Sequence, residues 1–260
     1  MTAARGTWSV GRALSLISAT FNLGAALGPL AGGWIGERFG LRWVFAASSV
    51  VFVVSTLLLI FIKSQPLDRH DPEAPPASLW RNPRYLGFIA LVFAVIFSLY
   101  LPQPLTPNFL QSQRGLSLTQ IGLLGTFAML GNAVISFAFG SIFTARKGFL
   151  FGQILTAIFA VLIWRGTGMP IFALAYFILG GFRATRPMAA AQARELVHES
   201  QMGLAYGMNE TVGALALTLA PFLAGVLYDR APDLVYPVSL GAIGVALILT
   251  LFFAPRPTGH

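Results

Sequence analysis

The sequence predicts an all-α polytopic membrane protein with eight transmembrane helices. Three observations carry that expectation: a composition too apolar for a water-facing surface, eight apolar stretches of bilayer length, and an internal repeat spanning most of the chain. Hydrophobic residues make up 56% of the 260 residues, charged residues only 10%, and the mean hydropathy is +0.73. Soluble domains carry about 25% charged residues, so lipid rather than water must cover much of this chain. The net charge of +8 does not point to nucleic acid, because the cations stand singly between apolar runs, where they act as topology determinants. The chain has no cysteine, which excludes a disulfide frame and a thiolate metal site.

A bilayer-crossing helix needs about 20 mostly apolar residues. Stretches that qualify run over roughly 13–35, 42–62, 86–107, 118–141, 149–165, 170–192, 204–228 and 235–254. The first is too long and too rich in Gly for a cleavable leader, and seven more spans follow it. The connectors alternate in character. Arg5, Arg12, Lys63, Arg69, Arg81, Arg84, Arg146, Lys147, Arg194 and Arg256 fall on one side, with Arg186 near its edge. Arg38, Arg42, Arg114, Arg165 and Arg230 fall on the other, and Arg183 is left inside a span. That excess of cations on one side predicts a plasma-membrane protein with both termini in the cytoplasm. The longest connector, KSQPLDRHDPEAPPASLWRNPRY, is rich in Pro and charge and reads as a cytoplasmic linker between two bundles. The predicted units are 1–63 with two spans, the linker 64–84, and 85–260 with six spans.

Gly11–Arg38 aligns without gaps on Gly203–Arg230, with seven identities in 28 positions. Pro29 faces Pro221, Gly33 faces Gly225 and Arg38 faces Arg230; Glu37 faces Asp229. Gly24, Gly28 and Gly32 face Ala216, Ala220 and Ala224. Residues four apart share a helix face, so each copy carries a seam of small residues of the kind that lets membrane helices approach closely. From the first span to the seventh the period is six helices. A parallel six-helix repeat joined by a cytoplasmic linker is a transporter plan.

Here the resemblance reaches named residues. Gly24-x-x-x-Gly28-Pro29-x-x-Gly32-Gly33 resembles the fifth-helix motif of proton-coupled drug antiporters in the major facilitator superfamily. Leu79–Tyr85, LWRNPRY, resembles the start of that family's seventh helix. The resemblance implies a partial major facilitator fold, with two helices of the N-terminal bundle and a complete six-helix C-terminal bundle. It implies that the spans correspond to family helices five to twelve. The chain would then lack the first four helices, as a fragment, an N-truncated gene model or a reduced protein. One departure stands out: in GSIFTARKG, Gly140, Arg146, Lys147 and Gly148 fit the family's cytoplasmic loop, but Thr144 stands where an Asp is usual.

Ionisable residues inside a membrane are costly and tend to face cavities or partners. Arg183 and Glu210 stand roughly 13 and 10 Å deep at 1.5 Å per residue, close enough for a pair. Glu210 is a candidate proton-coupling carboxylate with Arg183 as its partner; the alternative is an ion pair that only joins two helices. Arg186, one turn nearer the surface, is expected to snorkel to the headgroups. Glu210 aligns with Ser18, and Ser15, Ser18 and Asn22 form a polar stripe opposite the glycine seam, so Asn22 is a cavity candidate. Pro102, Pro104 and Pro107 disturb the third span. Tyr100 and Gln103 beside them either reach a central site or mark a helix end. Asn132 is a cavity residue or an interhelical hydrogen bond, and Asn209 projects toward the seam.

His70, His198 and His260 are too dispersed for a metal site, and Arg146-Lys147-Gly148 lacks a phosphate-binding glycine loop, so no cofactor is expected. No nucleophile–base arrangement suggests an enzyme. The expected function is secondary active transport of a small organic molecule by alternating access, with protons as the coupling ion and the chain, if complete, a monomer. The resemblance favours export. The competing expectation is a non-transporting membrane remnant or interaction subunit, whose Gly24–Gly36 seam would pack against lipid or another chain.

Overall fold

The computed structural model describes residues 10–61 and 79–255, apart from the side chains of 10–19, 22, 59, 140 and 141. Most of the expected linker therefore lies outside the described residues. The helices are α1 (Val10–Phe39), α2 (Leu41–Leu59), α3 (Pro83–Tyr100), α4 (Thr106–Arg114), α5 (Leu118–Ile142), α6 (Ala145–Arg165), α7 (Met169–Arg194), α8 (Met202–Arg230) and α9 (Val235–Phe253). Every long helix falls on one of the expected spans. Six segments are long and apolar enough to cross a membrane. The long helices outside that set are glycine-rich α1 and α7, which carries Arg183 and Arg186.

The third expected span breaks where its prolines fall. α3 ends at Tyr100, and α4 restarts at Thr106 with a proline in its first turn. The break is satisfied locally: Gln103 Nε2 donates to the Leu99 carbonyl at 2.7 Å, and Thr106 Oγ1 to the Pro102 carbonyl at 2.5 Å. Pro29, Pro187 and Pro221 lie inside continuous helices.

Hydrogen bonds sort the helix ends into two layers. At one end, Arg114 donates to the Trp164 carbonyl at 2.7 Å, the Ser112 and Tyr228 hydroxyls meet at 3.1 Å, and the Thr119 amide donates to Glu37 at 2.8 Å. At the other, Asn82 donates to Leu196 at 2.9 Å, Tyr85 to Ala205 at 2.8 Å and Arg146 to Leu251 at 2.7 Å, all at backbone carbonyls. These are the two sides on which the alternating connectors were expected.

The apolar core comes from residue 79 onward. One cluster packs Tyr85, Phe88, Val95 and Leu99 of α3 with Phe149, Ala216 and Ile243, and a second packs Phe109, Leu124, Phe159, Phe172 and Tyr236. The 18-residue apolar window of α2 buries none of its residues, as suits a surface whose neighbour is lipid. α1 attaches mainly to α5. A methyl group on Gly33 would overlap the Leu118 carbonyl, one on Gly122 the Pro29 carbonyl, and one on Gly125 the Pro29 ring. These glycines set how closely the two backbones approach.

That contact corrects the expected seam. In α8, Ala216, Ala220 and Ala224 are fully buried, and the helix lies chiefly on α3. In α1 the aligned glycines do not pack in this way. Gly24 and Gly28 are exposed with no described atom near a would-be Cβ, and Gly32 touches only Val44 at ordinary distance. The α1 contact runs instead through Pro29, Gly33 and Gly36, a face turned away from the Gly24–Gly28–Gly32 line, because the glycines of α5 accept it there.

Candidate functional site

α5 and α7 cross where glycine removes the obstacle. A Cβ on Gly131 would overlap the Phe177 backbone, and one on Gly180 the backbone of Gly131 and Asn132. The crossing brings Asn132 of α5 alongside the next two turns of α7, which carry Phe182, Arg183 and Arg186. With Tyr100 at the end of α3 and Glu210 on α8, these residues line a cavity of about 550 Å³. Tyr100 stacks on Phe182, with ring centroids 5.9 Å apart and planes 24° from parallel.

Glu210 pairs with Arg186, not with Arg183. Depth explains the choice: eight residues separate Arg186 from the α7 end at Arg194, and eight separate Glu210 from the α8 start at Met202. The two helices run in opposite directions, so the side chains meet at one level, whereas Arg183 stands a turn deeper. Arg186 is therefore held in the cavity wall by a carboxylate and does not snorkel outward. The pair is open to the cavity, with 35% of the arginine and 60% of the glutamate side chain exposed.

Arg183 is exposed and has no hydrogen-bond or ion-pair partner among the described residues. It also lines a second cavity, of about 480 Å³, between α1 and α5, whose walls include Phe21, Leu23, Met129 and Leu130. Asn132 lines both cavities, and its Oδ1 accepts from the Ser136 hydroxyl at 3.1 Å. A cavity with two arginines, one acid and a stacked aromatic pair has the charge and the apolar surface to hold a small polar or amphipathic molecule.

The sequence profile of the Major Facilitator Superfamily matches residues 5–103 and 88–260, which together span α1 through α9. The chain belongs to the major facilitator superfamily. No curated protein matches it significantly. Membership makes the chain a multi-pass membrane transporter, embedded in a lipid bilayer and acting on a small-molecule substrate.

The cavity of this superfamily member gathers Glu210, Arg183, Tyr100 and Asn132 from the expected site residues. Gln103 stays outside, spent on the Leu99 carbonyl that the proline break would leave unpaired. Asn22 lies in α1 between Phe21 and Leu23, but its side chain is outside the described residues. Asn209 is buried on the face of α8 that carries Ala205, Gly213 and Ala216, as its projection toward the seam suggested. Five further residues line the cavity that the sequence did not point to as cavity residues: Phe182, Pro187, Ala190, Leu217, and Arg186, which was expected at the headgroups. Counting depth from each helix end, rather than from the apolar boundary, would have matched Arg186 to Glu210.

Proposed function

We propose that the chain is a secondary active transporter that moves a small organic molecule through the α3–α5–α7–α8 cavity by alternating access, with Glu210 as the proton-coupling carboxylate. The observation that carries this reading is the Arg186–Glu210 pair standing open to the cavity beside Arg183. Proton uptake by Glu210 would release Arg186, altering the charge of the cavity wall and the tie between α7 and α8 in one step. Loss of a partly exposed pair costs about 1 kcal/mol or less, which gives the proton a modest means to bias the two helices toward another arrangement. The likeness of Gly24–Gly33 to the drug-antiporter motif supports export. The excess of cations on the connectors of one layer supports a cytoplasmic place for both termini, in the plasma membrane.

The test is transport by the full chain in proteoliposomes, with a pH gradient imposed and a panel of cationic, neutral and anionic small organics supplied. Substrate-dependent proton movement is expected for at least one class, and Glu210→Gln should abolish it while leaving gradient-free substrate exchange. Movement of no panel member would overturn transport by this chain; unchanged proton movement in the variant would remove Glu210 from the coupling step.

A further inference from the structure

We infer that the substrate is an amphipathic organic monoanion, its negative head on Arg183 and Asn132 and its apolar body in the chamber between α1 and α5. The inference rests on the transport reading above and specifies the ligand of that same cavity. Three observations carry it.

The first is the charge balance of the lining. Arg186 and Glu210 neutralise one another, while Arg183 has no partner among the described residues, so the cavity carries one uncompensated positive charge. An arginine at membrane depth is costly until water or an anion meets it, and a cationic ligand would add to that cost. The second is the hydrogen-bonding character at the junction of the chambers. Guanidinium groups only donate. With its Oδ1 taken by Ser136, Asn132 also has amide N–H groups left to donate. Two donors lining the same two cavities suit the oxygens of a carboxylate or sulfonate and offer nothing to an ammonium group.

The third is the shape of the space. Arg183 and Asn132 belong to the walls of both cavities, so the donors sit where the charged chamber adjoins the apolar one. Beyond them, the α1–α5 chamber is walled by Phe21, Leu23, Met129 and Leu130. A ligand with its head at the junction would therefore bury a hydrocarbon or aromatic body there. Chambers of about 480 and 550 Å³ fit the range of small-molecule sites. The shared chemistry is a single anionic head on an apolar body, whether in a soluble acid or an anionic lipid.

Equilibrium dialysis of the full chain in phosphatidylcholine nanodiscs tests the assignment, with 2-naphthoate and the size-matched 2-naphthyltrimethylammonium as probes. Saturable binding of the naphthoate is expected. Arg183→Gln should weaken it by about tenfold or more, the usual loss when a charge-assisted hydrogen bond is removed, and Arg183→Lys should weaken it less. An unchanged melting temperature in Arg183→Gln will separate loss of binding from loss of fold. Nanodiscs containing phosphatidylglycerol divide the sources: displacement of the naphthoate assigns the site to anionic lipid, and no displacement assigns it to a soluble acid. Saturable binding of the ammonium probe, naphthoate binding insensitive to Arg183, or binding of neither probe would each overturn the inference. A cation carried in the proteoliposome panel would overturn it too, while leaving the transport reading intact.

Discussion

Arg186 on α7 and Glu210 on α8 stand at equal depth on antiparallel helices and pair across the cavity wall, while Arg183, one turn deeper, has no carboxylate partner among the described residues. One helical turn thus separates the arginine that is held from the one with no partner among the described residues. The carboxylate offsets part of the Arg186 charge, and one side of the pair stays open to the cavity.

Because both partners are partly exposed, their coupling should be modest. A double-mutant cycle over Arg186→Gln and Glu210→Gln, read as thermal unfolding in detergent, should give an interaction of about 1 kcal/mol, nearer to surface pairs than to sealed ones. Glu210→Ala alone should destabilise more than Glu210→Gln, because it leaves the Arg186 charge in the wall with neither a carboxylate nor an amide oxygen. Equal effects of the two substitutions would show that Arg186 does not depend on that side chain.

The glycines of α1 divide by the face they occupy. Ala at Gly33 or Gly122 places a methyl group into a carbonyl of the opposite helix, and overpacking of this kind costs about 1–3 kcal/mol. Ala at Gly24 or Gly28 meets no described atom, and such a surface change should stay within about 0.5 kcal/mol. Melting temperatures of the single variants check the contrast. Loss of stability at Gly24 or Gly28 equal to that at Gly33 would mean that α1 is held through the seam after all.

The positions of the helices were legible because length and hydropathy decide them: the breaks at Gly40, Gly115 and Gly168, each with positive φ, fall between the apolar runs. The proline cluster after Tyr100 signalled a disturbance, but not that Gln103 would turn back to satisfy Leu99. What stayed illegible was rotation about each helix axis. The repeat gave α1 and α8 the same small-residue seam, yet among the described residues only α8 packs through it, because packing depends on what the neighbouring helix presents. The glycines that decide this, Gly122, Gly125, Gly131 and Gly180, lie on α5 and α7, where nothing in the repeat draws the eye. The same limit misassigned the partner of Glu210: a depth counted from the apolar edge of each span cannot resolve a single turn.

Glu37 supplies the last prediction, because it ties α1 to α5 beyond the apolar stretch. Its carboxylate accepts from the Thr119 amide at 2.8 Å, at the first turn of α5, where backbone N–H groups lack helical partners and negative charge is favoured. Hydrogen bonds from Thr119, with a further one from Ser117, hold its pKa below the ordinary 4.5. A carboxyl whose folded pKa is lowered stabilises the fold above its unfolded value, and that contribution fades as pH falls from the unfolded value through the folded one. The α1–α5 tie should therefore be constant at neutral pH and weaken as the medium is acidified below about 4.5. Glu37→Gln should lower the melting temperature slightly at neutral pH and flatten its decline under acid, since the amide keeps an acceptor oxygen but does not titrate. Melting curves of both proteins between neutral and acid pH will check this, and a decline of the same steepness in the variant would assign the acid sensitivity to another group.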